Sequence, residues 1–174
     1  GEAGQTTNYE NALAAMQVHF VTSLQVKDVD EYDGLLLPGG GDVDPKLFGQ
    51  LLIPETEIRQ YSRWEQQLIR KGQEKLTPEL DRIQLAILKA FCQYRKPVFG
   101  ICKGMQLINI AFGGDMLRHL PTAVHHAYRE KDQMHPARNE VNSFLYEVYG
   151  SDMLVNSAHH QGCLLYTSDA ADEL

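Results

Sequence analysis

The chain has 174 residues, enough for one domain with a single sizeable core, and its 43% hydrophobic and 22% charged residues are those of a soluble globular protein. A net charge of −7 without any Lys/Arg run argues against nucleic acid or an anionic membrane surface as the main partner, and no stretch approaches the ~20 apolar residues needed to span a bilayer. Cys92, Cys102 and Cys163 are an odd number with no CxxC spacing, which suggests neither a disulfide framework nor a zinc site and, with no signal-peptide pattern at the start, predicts a reduced, cytoplasmic protein.

In chain order, Tyr9, Ala12, Leu13 and Met16 recur at helical spacing and predict a helix with one apolar face. His19 to Leu24 reads as a strand. Leu35, Leu36 and Leu37 form an apolar run ending at Pro38-Gly39-Gly40-Gly41, the pattern of a buried parallel strand that stops in a tight loop. The segment from Gln50 to Lys75 is long and polar, with helix expected around Trp64 to Arg70. Thr77 is the expected N-cap of the next helix, with Pro78 at its first position, Glu79 and Asp81 favouring the N-terminus, and Leu80, Ile83, Ile87, Ala90 and Phe91 on one face. A strand Val98-Phe99-Gly100-Ile101 stops at Cys102, and a helix follows from about Lys103 to Phe112, ended by Gly113-Gly114. Asp115 to Asn142 reads as mostly irregular; Ser143 to Tyr149 and Met153 to Ser157 read as short strands. The alternation of apolar runs and amphipathic stretches is that of an α/β protein with a parallel sheet.

The chemistry centres on Gly100-Ile101-Cys102-Lys103-Gly104, a G-x-C-x-G sequence between strand and helix. This is the thiol counterpart of the nucleophile elbow: the nucleophile takes a strained backbone position, and glycines two residues either side remove side chains that would collide. The helix that follows aims its free N–H groups and dipole at the sulfur, favouring thiolate and offering oxyanion donors. Most free cysteines are simply buried small hydrophobes, and that bland reading stands for Cys92 and Cys163. For Cys102 the strand, the glycines and the helix together point to a nucleophile. Pro38-Gly39-Gly40-Gly41-Asp42-Val43-Asp44-Pro45 could supply a second oxyanion donor, although alone it is an ordinary glycine turn. Asn156-Ser157-Ala158-His159-His160-Gln161 offers acid/base groups, substrate contacts or surface residues, and spacing does not separate His159 from His160. His135-Pro136 is followed by Ala137, so it is not a His-Pro-Glu motif.

Asp33 to Gly40, Pro97 to Asn109 and Val155 to Gln161 together resemble the γ-glutamyl-γ-aminobutyrate hydrolase family, class I glutamine-amidotransferase-like enzymes of the C26 peptidase group. The resemblance covers nearly all of Asn8 to Gly162. It implies a flavodoxin-like three-layer fold and hydrolysis of a γ-glutamyl amide, through a γ-glutamyl thioester, by a Cys-His-Glu triad. Cys102 is then the nucleophile, and the backbone N–H groups of Gly40 and Lys103 form the oxyanion hole. Gln106 helps hold the glutamyl moiety, with Asn156, Ser157, His159 and His160 lining the same pocket. The implied partner is a small γ-glutamyl substrate, with no metal and no organic cofactor; the leaving amine and any homo-oligomer stay open.

The sequence also departs from that family. The catalytic His and Glu belong to a Trp-His-Pro-Glu-like motif, and the chain has none. The expectation is a domain over residues 1–162, cut at both ends, followed by a non-native tail over 163–174 that reads as adapter-derived sequence. On that reading the fragment is nearly inactive. Two further readings compete: a glutaminase subunit feeding ammonia to a synthase, and a non-catalytic binding domain that keeps the pocket without the triad.

Overall fold

A computed structural model describes residues 6–25 and 28–164. From Leu165 onward, the tail singled out in the sequence lies outside the described residues. The chain forms two compact units, one of Gly1–Met116 with Cys163–Leu174, the other of Leu117–Gly162.

The first unit opens with helix α1 (Thr7–Ala15), which buries none of its residues. The apolar face expected for it is only half-realised: Tyr9 and Leu13 are half-buried, while Met16 is left in solvent just past the helix end. No strand forms at His19 to Leu24, a correction to the sequence reading. A strand needs a hydrogen-bonding neighbour, none pairs with this segment among the described residues, and its Phe20, Val21 and Leu24 stay exposed. After a 3-10 turn at Val29–Glu31 comes β1 (Leu35–Leu37).

Strand β2 (Val98–Gly100) lies parallel to β1, with Leu35 opposite Val98, Leu36 opposite Phe99 and Leu37 opposite Gly100. The Leu35 N–H donates to the Pro97 carbonyl at 2.9 Å, and the Ile101 N–H donates to the Leu37 carbonyl at 2.9 Å, extending the ladder to the residue before Cys102. Parallel strands need a long crossover. Here it carries a 3-10 turn at Pro45–Phe48, short helix α2 (Glu55–Ile58), α3 (Arg63–Glu74) and α4 (Pro78–Gln93). Ser62 and Glu65 form a capping box that starts α3, realising the helix expected around Trp64. Ile69 of α3 packs with Ile53, Ile58 and Tyr61 in a small core.

Helix α4 begins at Pro78 as its sequence requires, but the Thr77 side chain makes no capping bond, so proline and acidic residues carry the start. Its buried stripe is Asp81, Gln84, Ile87, Leu88 and Phe91, not the all-apolar stripe the periodicity suggests; Leu80, Ile83 and Ala90 are only half-buried. Ile87 and Phe91 join Val29 in a core flanked by Tyr32, Leu35 and Val98. Helix α5 (Lys103–Ala111) packs on α4, β1 and β2, and the chain leaves it at Gly113, whose φ of 81° suits glycine.

The chain crosses between units at the short strands β3 (Met116–Leu117) and β6 (Gly162–Cys163). Within the second unit, β4 (Gln133–Arg138) pairs antiparallel with β5 (Asp152–Ser157), Gln133 opposite Ser157. The strand β5 falls where the sequence puts it; β4 lies in a stretch read as irregular. The interval Ser143 to Tyr149, read as a strand, is helix α6 (Phe144–Tyr149). Ser143 accepts from the Tyr146 N–H at 3.1 Å, so a local cap overrides the β preference of Phe, Tyr and Val.

Among the described residues no helix is long and apolar enough to cross a membrane.

Candidate active site

The end of β2 turns sharply into α5. Cys102 sits at the turn with φ 52° and ψ −109°, a backbone conformation that costs energy for a residue with a side chain. Its carbonyl accepts the Gln106 N–H at 3.1 Å, so the residue at the strain point also starts the helix. The flanking glycines are required by space. A Cβ on Gly100 would fall 2.6 Å from Gly104 C, Met105 N and Ile108 Cδ1, and one on Gly104 would run into the Leu37 carbonyl oxygen of β1. Sequence spacing therefore encodes how closely the helix is pressed onto the strand.

The glycine loop after β1 reaches the same place. A Cβ on Gly39 would lie 3.5 Å from Cys102 Cβ and one on Gly40 would lie 3.0 Å from Lys103 Cδ. The Gly39 N–H donates to the Tyr9 hydroxyl at 3.0 Å. The Lys103 side chain turns away from solvent: it is 4% exposed and pairs at 2.5 Å with Asp81, which is 0% exposed. The second Asp81 oxygen accepts the Asp44 N–H at 3.0 Å. Gln106, one turn into α5, is buried. Cys102, Gly40, Lys103 and Gln106 are thus gathered in the first unit.

The sulfur is reachable by solvent yet crowded by protein. Burial pushes the Cys102 thiol up, the Lys103 backbone N–H bonded to it pulls it down, the Asp42 carboxylate raises it and the Lys103 charge lowers it; the net direction is upward. The thiolate bias expected from the helix start is outweighed in the free protein. A groove beside β1, lined by Leu13, Phe20, Leu36, Gln84, Phe91 and Phe99, does not include Cys102.

A family model of Peptidase C26 matches residues 64–170, more than half of the chain and all of the elbow. The chain belongs to the Peptidase C26 family. Its relatives include glutamine amidotransferase-like and γ-glutamyl-γ-aminobutyrate hydrolase proteins, the class I glutamine-amidotransferase-like grouping. Protein NtpR of Enterococcus hirae is 29% identical over 142 residues, covering 76% of this chain and 52% of the relative. The glutamine amidotransferase-like protein YvdE of Lactococcus lactis is 31% identical over 138 residues, 74% of this chain and 50% of the relative. The γ-glutamyl-γ-aminobutyrate hydrolase PuuD of Escherichia coli strain K12 is 28% identical over 156 residues, 80% of this chain and 53% of the relative. The chain spans about half the length of these curated relatives.

The remaining site candidates of this Peptidase C26 chain lie in the second unit. Asn156 is exposed and its Nδ2 donates to Asp132 at 2.8 Å. Ser157 is buried, with its hydroxyl 3.4 Å from His126 Nδ1. The two adjacent histidines, equivalent by spacing, part company in three dimensions. His159 is half-buried, with Nδ1 2.8 Å from the Gln161 carbonyl and its ring stacked on His126. His160 is buried, its Nδ1 3.0 Å from that of His119, so one imidazole must donate while the other accepts. His126 also meets His135 edge-on, and its pKa is lowered, first by burial and then by the charges of His135, His159 and His125. Among the described residues no group of three His, Cys, Asp or Glu side chains is arranged to hold a metal ion.

Sequence reasoning passed over Asp81, the Lys103 side chain, Tyr9 and His126. Asp81 had a signal: it stands at i, i+3, i+7, i+10 spacing with Gln84, Leu88 and Phe91, inside the buried stripe.

Proposed function

We propose that this chain carries the nucleophile and oxyanion elements of a cysteine-dependent hydrolase that cleaves γ-glutamyl amides. The observation that carries the reading is Cys102, held at positive φ between a parallel strand and a helix, with two glycines that nothing larger could replace. In the proposed reaction the Cys102 sulfur adds to the γ-carbonyl carbon, and the oxyanion is held by the N–H groups of Gly40 and Lys103. The C–N bond breaks, the amine leaves with a proton, and a γ-glutamyl thioester remains. Water then adds to the thioester carbonyl, releasing glutamate and restoring the thiol. Gln106, buried one turn after the nucleophile, holds the glutamyl moiety.

The parallel β1–β2 pair with its helical crossover supports reading the domain, over 1–162, as part of a flavodoxin-like three-layer sheet. Three free cysteines support a reducing, cytoplasmic setting. The chain contains no Trp-His-Pro-Glu-like motif, and the Cys102 thiol is pushed up. Proton transfer by a positioned base typically contributes ~10²–10⁴-fold, so the chain by itself acylates slowly and turns over poorly.

A glutamine-shaped chloroketone tests the reading, because it needs a γ-glutamyl pocket as well as a thiol. Mass spectrometry of the labelled, digested chain is expected to place one adduct on Cys102, with excess γ-glutamyl-γ-aminobutyrate slowing its formation. Equal labelling of Cys92 and Cys163, or no protection by the amide, would overturn it.

A further inference from the structure

We propose that Asp81 is a positioning residue, a buried carboxylate that holds the Lys103 side chain and the Gly40–Asp44 loop in register with the nucleophile elbow. The proposal rests on reading Cys102 as the nucleophile.

Three separate elements meet at this carboxylate. Asp81 belongs to the first turn of α4, and Lys103 is the first residue of α5. The loop between β1 and the Pro45–Phe48 turn contributes the Asp44 N–H, bonded to Asp81 at 3.0 Å, and the Asp42 carbonyl, 3.5 Å from Lys103 Nζ. The Lys103 stem passes behind Gly40, where even a methyl group would press on it at 3.0 Å. The ion pair therefore backs the loop from residue 40 to residue 44 and ties it to the residue that follows Cys102.

Both ends of the pair are buried, so neither is a solvated helix-end charge. A buried ion pair is a poor device for stability, since apolar residues of similar volume often serve as well. An apolar pair could not, however, accept the Asp44 N–H or donate to the Asp42 carbonyl. Direction is what the charged pair adds. The charges that act on the sulfur are Asp42 from the loop and Lys103 from α5, of opposite sign, and Asp81 fixes where Lys103 stands.

The test uses the full 174-residue chain with Cys92→Ser and Cys163→Ser, so that alkylation reads Cys102 alone. Two variants are compared with it: Asp81→Asn, and the double replacement Asp81→Leu with Lys103→Met. Rates are measured with iodoacetamide, which needs only a thiol, and with the glutamine-shaped chloroketone, which also needs the oxyanion donors. Displacing one oxyanion donor is expected to lower the chloroketone-to-iodoacetamide ratio at least ~10-fold in Asp81→Asn. The double variant is expected to regain thermal stability and keep the low ratio. A double variant that regains both would show a merely structural pair and overturn the proposal, as would an Asp81→Asn chain that folds with the parent ratio. If Asp81→Asn does not fold, the double variant decides.

Should the parent chain show no preference for the chloroketone, the γ-glutamyl reading fails, and the pH profile with iodoacetamide still judges Asp81. Freed from its partner, Lys103 leaves the sulfur, and the alkylation midpoint moves up in Asp81→Asn but not in Phe144→Ala, a change at an exposed position on α6. An unmoved midpoint would overturn the proposal.

Discussion

Replacing Gly104 by alanine puts the packing of the elbow under direct test. The added Cβ would meet the Leu37 carbonyl oxygen, with the Leu37 carbonyl carbon and Cβ each 2.7 Å away. None of these is the end of a flexible side chain, so α5 must lift from β1. Inserting a methyl into a packed site typically costs ~1–3 kcal/mol, and three fixed atoms at such range argue for about 3. Alanine returns ~1 kcal/mol in helix propensity. The net is about 2 kcal/mol, a fall in Tm of roughly 4–8 °C for a chain of this size. Gly41→Ala is the control: a Cβ there meets nothing within 4 Å, so the change is expected to leave Tm unmoved or slightly higher. Thermal unfolding followed by circular dichroism reads both. A Gly104→Ala chain that melts with the parent would refute the claim that this glycine is required by helix-on-strand contact.

With its thiol pushed up, Cys102 is expected to react with iodoacetamide at neutral pH more slowly than a free cysteine peptide, its rate still climbing beyond the ordinary thiol range. A midpoint at or below that range would contradict the burial argument. The lowered pKa of His126 means that the unfolded chain takes up its proton first as pH falls below 6.5. Stability on this account is full above that pH and declines as pH drops toward the folded value, so urea midpoints at pH 7.5 and 5.5 should differ less in His126→Asn than in the parent. Ile69→Ala removes a fully buried side chain from the cluster with Ile53 and Ile58, and is expected to cost ~2–5 kcal/mol in urea unfolding. Phe144→Ala, at an exposed position on α6, is expected to change stability by less than ~0.5 kcal/mol.

What the sequence discloses is what is encoded within a few residues. The apolar run Leu35–Leu37, the strand before Cys102 and the glycines around it are local, and each stands where the pattern puts it. The same holds for α3, whose capping box is four residues long. Errors gather where a distant partner decides. His19 to Leu24 has strand composition but no neighbouring strand among the described residues, while Gln133–Arg138, with Pro136 and two charged or amide ends, becomes a strand because β5 lies beside it. At Ser143 the balance runs the other way, a single serine cap outweighing four strand-favouring residues among the six of the helix.

The site divides along the same line. The sharp turn at Cys102 is legible because a strained turn between strand and helix demands small neighbours, and small neighbours are visible as the glycines Gly100 and Gly104. Asp81 is opaque because a carboxylate in the first turn of a helix already has a sufficient local explanation in the helix dipole. Only its burial against Lys103, 22 positions away in the chain, shows that a second force holds it there. A dipole-stabilised aspartate would sit in water, at little cost to replace; this one is 0% exposed, accepts a loop N–H and forms an ion pair with the lysine. The polar residue on an otherwise apolar helical stripe is therefore the signal to follow, and here it leads to the back of the elbow.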